Sequence, residues 1–465
     1  MVRTRASAVA ALLAFALGAC SLAPRHDAPV PELPAGWNDA ALDTASGASA
    51  ADWWRQFGDP TLDRLIDRAL AENLDLALAA ARVEEARALL AGSRAEQWPT
   101  LDAQADASRQ RGAETTGGGQ ARSLYSVAGV LGYELDLFGR LRSASDAARE
   151  RLAESVYSSE ALRLTVITDV IGAYLDLRTA EHQLAITEDT IAARAAALRL
   201  EQARLRLGAG TELTLRQAEA ELASARAVAA ALRDTVRRSE TALGVLTGAT
   251  PESLIESAPP PGEFSALALP GTLPRMLPSE LLARRPDVRA AEAALRASNA
   301  DIGTARAQAF PRISLTALIG SDALRVGDLF SGPAQGWSLG SALVAPLLDF
   351  GRVEAQVAGA RARRDQADIL YRQTVQTAFA EVRDALTTLR EAQAREQARA
   401  EAARALERAL ELSELQYRRG RGLYLDVLVA QRSLLSAQID QAAAARDARL
   451  AAATLFKALG GGWQG

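Results

Sequence analysis

Residues 306–319 read RAQAFPRISLTALI, and residues 94–107, 212 positions earlier, read RAEQWPTLDAQADA. Each stretch opens on Arg-Ala and reaches a proline at its sixth position (Pro311 and Pro99). Proline cannot continue a helix, so each marks the end of one. Alternation then begins. Ile313, Leu315, Ala317 and Ile319 form one apolar face, as do Leu101, Ala103, Ala105 and Ala107, with Asp102, Gln104, Asp106 and Ser108 between the latter. Period 2 is the mark of a strand with unlike faces.

The same offset superposes most of the chain on itself. Asp75 meets Asp287, Phe138-Gly139-Arg140 meets Phe350-Gly351-Arg352, Gly208 and Gly210 meet Gly420 and Gly422, and Leu222 meets Leu434. It holds without a gap from about residue 73 to about residue 253, so the architecture is built from two similar halves.

A second strand is expected in each half. After a Gly-rich loop over 111–120, Tyr125, Val127, Gly129, Leu131, Tyr133 and Leu135 alternate with Ser126, Ala128, Gly132, Glu134 and Asp136. After a loop over 321–336, Trp337, Leu339 and Leu343 begin the fourth strand. These lengths suit tilted transmembrane strands, with Tyr125 and its repeat mate Trp337 at the membrane interface. A soluble hairpin packed on helices fits the alternation equally well.

The rest reads as helix. Ala, Leu, Arg, Glu and Gln dominate, a long-helix composition. Arg140–Leu207 contains no proline and one glycine, Gly172, and Ala360–Arg419 contains neither. Such runs extend roughly 90–100 Å. Tyr371, Val375, Phe379, Val382, Leu386 and Leu389 step by three and four as in a coiled-coil seam, and Ala398, Ala402 and Ala405 are expected to continue it with close contacts. Gly208-Ala209-Gly210 and Gly420-Arg421-Gly422 stop the long helices, and returning helices are expected over 211–243 and 423–459. Upstream, Asp59-Pro60 starts a helix that is expected to run to about Gln97, with a weak point at Gly92.

The N-terminus has Arg3 and Arg5 before an apolar run, Ala8 to Leu17, too short to span a membrane and suited to a secretory signal. It ends Leu17-Gly18-Ala19-Cys20-Ser21, which resembles the lipobox of bacterial lipoproteins, so Cys20 is the candidate lipidation site. An ordinary signal peptide with an incidental cysteine is the alternative. With one cysteine there are no disulfides within the chain. Cleavage before Cys20 takes away two arginines and moves the net charge from −4 to −6.

No basic block points to nucleic acid. His26 and His182 are the only histidines and lack metal-ligand or triad company, and no Gly-rich phosphate loop is present. No cofactor, metal or catalytic residue is expected, and the chain is not read as an enzyme.

If the strands enter a membrane, four cannot close a barrel and open edges are not tolerated in lipid, so chains must associate. Two chains give eight strands around a filled interior; three give twelve and room for a pore lined by the polar strand face.

Several segments resemble the outer-membrane factor family of tripartite efflux pumps, the TolC- and OprM-like, NodT-type outer-membrane efflux lipoproteins. They are Trp53-Trp54 with Phe57-Gly58-Asp59-Pro60, LLARRPDVRAAE at 281–292, FPRISL at 310–315, LDFGR at 348–352 and FKALGGGW at 456–463, spanning the chain from about residue 52 onward. The resemblance implies a mainly α, internally duplicated fold with a membrane β part. Four strands per chain would join a trimeric 12-stranded barrel that continues into a long periplasmic α-helical coiled-coil barrel. It implies a homotrimer in outer-membrane lipid, docked to a periplasmic adaptor (membrane fusion protein) and an inner-membrane transporter, commonly of the resistance-nodulation-division class. The domain expectations are 1–19 signal peptide, 20–60 lipid-anchored leader, 61–250 first repeat, 251–274 Pro-rich equatorial segment and 275–465 second repeat.

By the same resemblance the helical barrel narrows at its periplasmic tips. Asp426 matches an acidic gate position, while Val429 stands where relatives often carry a second Asp, so one carboxylate ring is implied. The bland reading of Asp426 is a first-turn acid favoured by the helix dipole. Tip residues Gly208, Gly210, Thr211, Leu213, Gly420, Gly422, Leu425 and Leu428 are implied to meet the adaptor hairpins. The expected function is the passive exit channel of an efflux system. Alternatives are a type I secretion channel or a periplasmic coiled-coil scaffold such as the adaptor, which should have one helical hairpin rather than two.

Overall fold

Elements recur at the interval seen in the sequence. In this computed structural model the first half runs α1 (Pro60–Glu72), α2 (Leu74–Ala95), β1 (Thr100–Arg111), β2 (Ala121–Leu135), α3 (Arg140–Arg206) and α4 (Glu212–Leu246). Two short helices, α5 (Pro251–Glu256) and α6 (Pro278–Arg284), lead to the second half: α7 (Pro286–Ala307), β3 (Arg312–Ala323), β4 (Gln335–Val344), α8 (Arg352–Arg418) and α9 (Tyr424–Ala458). The structure describes residues 22–24, 36–37, 52–111, 121–256, 264, 267–270 and 278–461. The long helices α3 and α8 have 67 residues each, and the returning helices α4 and α9 have 35 each. Among the described residues no helix is long and apolar enough to cross a membrane.

Two compact units cut across the repeats. The first takes the described residues of 1–31, 82–156 and 290–373, and the second those of 32–81, 157–289 and 374–465.

In the first unit the four strands make one antiparallel sheet in the order β1-β2-β3-β4. Register places Leu101, Leu131, Ala317 and Leu339 in one row, and Ala103, Gly129, Ile319 and Trp337 in the next row of the same face. That face is apolar and largely exposed: Leu101, Leu131, Ile319, Trp337, Leu339 and Leu343 are all exposed to solvent in the single chain. The other face carries Asp102, Gln104, Asp106, Ser126, Glu134, Ser314, Thr316 and Ser338. Pairing runs past the expected strand ends: Arg111 pairs with Ala121, and Ser321 pairs with both Val127 and Gln335, so residues 111, 321–323 and 335–336 belong to strands and not to the expected loops. Arg140 closes a two-point ion pair on Glu134 at 3.0 and 2.8 Å, fastening β2 to α3.

The second unit holds the apolar core. Trp53, Trp54 and Phe57, on a short 3-10 turn, pack with Leu62, Ile66, Val170, Tyr174, Leu175 and Phe456, and Trp53 stacks on Phe456 at 4.9 Å. Asp59 caps α1 by accepting from Thr61 N–H at 2.7 Å and also accepts from the buried Tyr174 hydroxyl. Burial, followed by the bond to Asp59, pushes the Tyr174 phenol up to about 12.

One expectation is corrected here. The first helix does not run to Gln97 with a weak point at Gly92; it breaks at Asn73. The buried Asn73 side chain accepts from Asp75 and Leu76 N–H at 2.9 and 3.1 Å and donates to Leu246 O at 2.8 Å. Those bonds cap α2 and tie it to the end of α4, whereas Gly92 lies within the helix with open space around it. The seam on α8 is also corrected beyond Leu389. Ala398, Ala402 and Ala405 are exposed, and burial continues through Ala392 and Ala403 with Glu396 and Ala400 half-buried between them.

Candidate functional site

Both long helical hairpins of the second unit reverse through glycine. Gly208 and Gly420 adopt positive φ of 72° and 71°, which a side chain resists. Gly210 and Gly422 serve differently. A Cβ on Gly210 would lie 3.0 Å from Leu205 N, and one on Gly422 would lie 3.2 Å from Gln416 Cβ, so these glycines let the turn fold against its own helix. Thr211 then caps α4 by accepting from Thr214 N–H at 3.2 Å. Its counterpart cap at α9 is Leu423, which has no acceptor, and Asp426 compensates by accepting from Leu423 N–H at 3.3 Å. Asp426 thus lies in the first turn of α9 and takes part in its cap.

The structure reveals a polar clamp between the hairpins. Buried Arg194 on α3 donates to Glu221 O at 2.7 Å and pairs with its carboxylate at 3.1 Å, while Arg432 on α9 takes the other oxygen of Glu221 at 2.7 Å. Burial pulls the Arg194 guanidinium below its ordinary range, against the opposing charge of Glu221. Closer to the tips, the Tyr417 hydroxyl of α8 donates to Glu201 at 3.1 Å and accepts from Arg204, whose guanidinium also lies 5.0 Å over its ring. Tyr424 and Leu428 of α9 close an apolar cluster with Ala218 of α4, flanked by Leu198 and Tyr417.

None of these clamp residues has a like mate. Arg194, Glu201, Arg204 and Glu221 fall opposite Leu406, Ser413, Gln416 and Ser433, and Tyr417, Tyr424 and Arg432 fall opposite Leu205, Glu212 and Ala220. A signal for them was present in the sequence as charged and aromatic positions where the repeat fails.

The tip residues divide into two groups. Leu213 and Leu425 are 67% and 49% exposed, but Leu428 is 3% exposed and belongs to the contact between hairpins rather than to the outer surface. Exposed Leu207 and Leu423 flank the turns and extend the apolar collar beyond the residues expected from sequence. Trp337 is 79% exposed on the apolar face of the sheet, and Tyr125 is half-buried on the same face beside Ala107 and Ala323. Cys20 lies outside the described residues. Among the described residues no group of three or more metal-ligating side chains is assembled, and His182 stacks on Phe264 at 5.6 Å.

The chain thus combines two long helical hairpins with a four-stranded sheet that has one apolar and one polar face. The outer membrane efflux protein family profile matches twice, over residues 65–249 and 277–461, two ranges 212 residues apart. This chain belongs to the outer membrane efflux protein family. Outer membrane protein OprJ of Pseudomonas aeruginosa is 37% identical over 463 residues, covering 98% of this chain and 95% of the relative. The toluene efflux pump outer membrane protein TtgI of Pseudomonas putida is 36% identical over 457 residues, covering 96% of each. Among solved structures, the open-state MtrE outer membrane channel of Neisseria gonorrhoeae is similar with a TM-score of 0.84 and 32% identity, covering 95% of this chain and 98% of MtrE. The Campylobacter jejuni CmeC outer membrane channel gives a TM-score of 0.90 at 25% identity, covering 96% of each chain.

Within this efflux protein, the segments that carried the resemblance have structural duties. In the 281–292 segment, Arg285 donates to Asp287 and Glu381, each at 2.6 Å, and to Ala458 O at 3.0 Å. Phe310, which opens the 310–315 segment, stacks on Phe138 at 4.7 Å. In the 348–352 segment, Asp349 accepts from Gly351 and Val353 N–H at 3.1 and 3.0 Å and starts α8.

Proposed function

We propose that three copies of this chain form the outer-membrane exit duct of a tripartite efflux system, passively conducting cargo delivered by an inner-membrane transporter through a periplasmic adaptor. The observation that carries the trimer is the pair of open sheet edges. Among the described residues β1 and β4 have no partner on their outer sides, and a lipid-facing sheet cannot leave backbone groups unpaired. Three four-stranded sheets close twelve strands.

The repeat supplies the register of that closure. β2 and β3 pair with Tyr133 opposite Leu315 and Tyr125 opposite Ala323. Carrying this relation forward by one repeat sets Leu343 of β4 opposite Ala105 of the next copy's β1, and Ser341 opposite Ala107. The aromatic pair at the foot of the sheet follows the same operation. Phe138 stacks on Phe310 within the chain, and their mates Phe350 and Trp98 are 91% and 72% exposed, an unmade stack waiting for a neighbour.

The polar strand face then lines the pore. Trp337 and Tyr125 sit toward the membrane interface, and Cys20 carries the lipid. The clamp of Arg194, Glu221, Arg432, Glu201, Arg204 and Tyr417 holds the two hairpins together at the periplasmic end, with Asp426 of each copy adding one carboxylate to a constriction. The apolar collar of Leu207, Leu213, Leu423 and Leu425 receives the adaptor, and the transporter is of the resistance-nodulation-division class.

Disulfide crosslinking tests the trimer. Leu343→Cys with Ala105→Cys should give covalent trimers on denaturing gels. Leu343→Cys with Asp106→Cys should not, because adjacent strand residues face opposite sides. Covalent dimers without trimers, or equal crosslinking of both pairs, would overturn the closure.

A further inference from the structure

The segment just after Cys20 is held in a slot on α7. Asn299 Nδ2 donates to Pro24 O at 2.8 Å, and Arg306 donates to Leu22 O at 3.0 Å. Between these two residues, one helical turn from each, lies Gly303. A Cβ built there would come within 2.9 Å of Ala23 Cβ, 3.0 Å of Ala23 Cα and 2.7 Å of Ser143 Oγ on α3. Real side-chain atoms do not approach that closely, so the slot exists because residue 303 has no side chain. The two donors hold main-chain carbonyls on either side of it. Asn299 is itself buried, which fixes its amide for this role.

The slot is specific to one repeat. The mates of Asn299, Gly303 and Arg306 are Arg87, Ala91 and Arg94. Ala91 supplies the methyl that would fill the slot, and Arg87 instead pairs with Glu84 at 2.6 Å. A feature needed only to end α7 or start β3 would have no reason to differ from α2 in this way. The chain has one leader and two equivalent helices, and only one of them has room for it.

We propose that Asn299, Gly303 and Arg306 form a docking cradle that binds the mature N-terminus and fixes the position of the lipid anchor on the protein. This rests on the reading of Cys20 as the lipidated residue. Cys20 is two residues ahead of Leu22, so its sulfur is tethered within about 7 Å of the cradle plus its own side chain. Arg306 is six positions before Arg312, the first residue of β3. The acyl chains are thereby held at the end of the sheet where the chain passes from α7 into β3, instead of ranging over a leader's length. The anchor acts as a fixed part of the sheet's lipid contact, not as a loose tether.

Trypsin reads this directly through the Arg25–His26 bond. To cut it, the protease must take Ala23 and Pro24 into its own cleft, and the cradle competes for those residues. Cells are fed an alkyne palmitate analogue, and loss of label from the full-length chain in outer membranes is followed with time. Wild-type protein should keep its label. Gly303→Val should lose it at least about 10-fold faster, since proteolysis tracks the undocked population. Because valine there also presses on Ser143, an Asn299→Ala, Arg306→Met double variant, which leaves the slot open but removes both donors, should lose label about 3-fold faster. Equal rates in all three would overturn the cradle. If wild-type protein takes up no label, the lipid reading falls. Release of residues 20–25, or of a longer leader peptide, followed by mass spectrometry then decides the cradle alone by the same comparison of rates.

Discussion

The base and the tips of the helical hairpins were built from the same duplicated sequence, and they have kept it to very different degrees. At the base, geometry is repeated even where chemistry is not. Asn73 donates to Leu246 O, and its mate Arg285 donates to Ala458 O, the equivalent carbonyl 212 residues on. Gly248 and Gly460 both take positive φ and both lie against the chain that precedes Asn73 or Arg285, at Glu72 and Arg284. At the tips the glycine turns persist, but the residues between hairpins do not. One hairpin supplies Glu201, Arg204 and Glu221, and the other supplies Tyr417, Tyr424 and Arg432. Two copies of one unit can share a turn, because a turn is a local solution. They can grip each other only by becoming unlike, because a carboxylate needs a cation and not a second carboxylate.

The sharpest test of the repeated base is Gly248→Ala against Gly460→Ala. A Cβ on Gly248 would lie 2.2 Å from Glu72 O, while one on Gly460 would lie 3.2 Å from Arg284 O. Both pay for positive φ, but only the first also collides with backbone. Gly248→Ala should destabilise the protein by on the order of 3 kcal/mol or prevent assembly, and Gly460→Ala by about 1–2 kcal/mol. Thermal unfolding in detergent measures the order; equal losses would mean that the two bases are held alike and that the closer approach at Gly248 adds no cost.

Next in size is the exchange of chemistry at the carbonyl ties. Arg285→Ala strips a buried guanidinium from Asp287, Glu381 and Ala458 O together. Glu381 is half exposed and can turn to water, so the cost is about 2–3 kcal/mol and not the full price of a broken buried pair. Asn73→Ala removes a helix cap and one tie, about 1–2 kcal/mol. If Asn73→Ala proves the worse of the two, the charge network at Arg285 contributes less than the cap.

Duplication, long helices, glycine turns and strand alternation were legible in the sequence because each depends on local periodicity or on one residue's conformational freedom. The break at Asn73 was not, since its cause is a carbonyl 173 residues away. The seam past Leu389 was misplaced for a related reason. The side chains of 398, 402 and 405 fit a close-packed seam in size, but within the chain burial had shifted to 392 and 403, with 396 and 400 half-buried between them, and size alone does not set phase. For the site, sequence located the turns and Asp426. It missed the clamp because Arg, Glu and Tyr on long helices look like solvated faces until the opposite hairpin is in place. Leu428 was assigned outward for the same reason; only the facing Ala218 shows that it points in.

Breaking the asymmetry at the tips should be cheaper than breaking the base, but it should be visible in conduction. Glu221→Gln leaves buried Arg194 and exposed Arg432 without a carboxylate between them, at a cost of about 1–2 kcal/mol, and should raise the single-channel conductance of trimers in planar bilayers. Tyr424 gives a pH test of the same region. Burial first, and then the nearby acid Glu201, pushes its phenol up to about 12 from 10.0. Because the folded value lies above the unfolded one, the contribution is complete below pH 10 and is lost as pH rises toward 12. Wild-type hairpins should therefore become protease-sensitive over that window, and Tyr424→Phe should remove that part of the pH dependence. A Tyr424→Phe profile that matches wild type would leave Tyr424 outside the linkage.

The smallest expected effect is at Asp426, where cap and gate make separable demands. Asparagine can still accept from Leu423 N–H, while alanine cannot; both remove the charge. If the carboxylates of three copies constrict the pore, Asp426→Asn and Asp426→Ala should raise conductance equally, because the loss of charge is the same. If Asp426 is only a cap, Asp426→Ala should cost about 0.5–1 kcal/mol and Asp426→Asn much less, with conductance unchanged in both. The gate reading predicts higher conductance in both variants and a stability loss in the alanine variant alone. Unchanged conductance in both would leave Asp426 to its helix and place closure on the Glu221–Arg432 grip, where the two hairpins differ most.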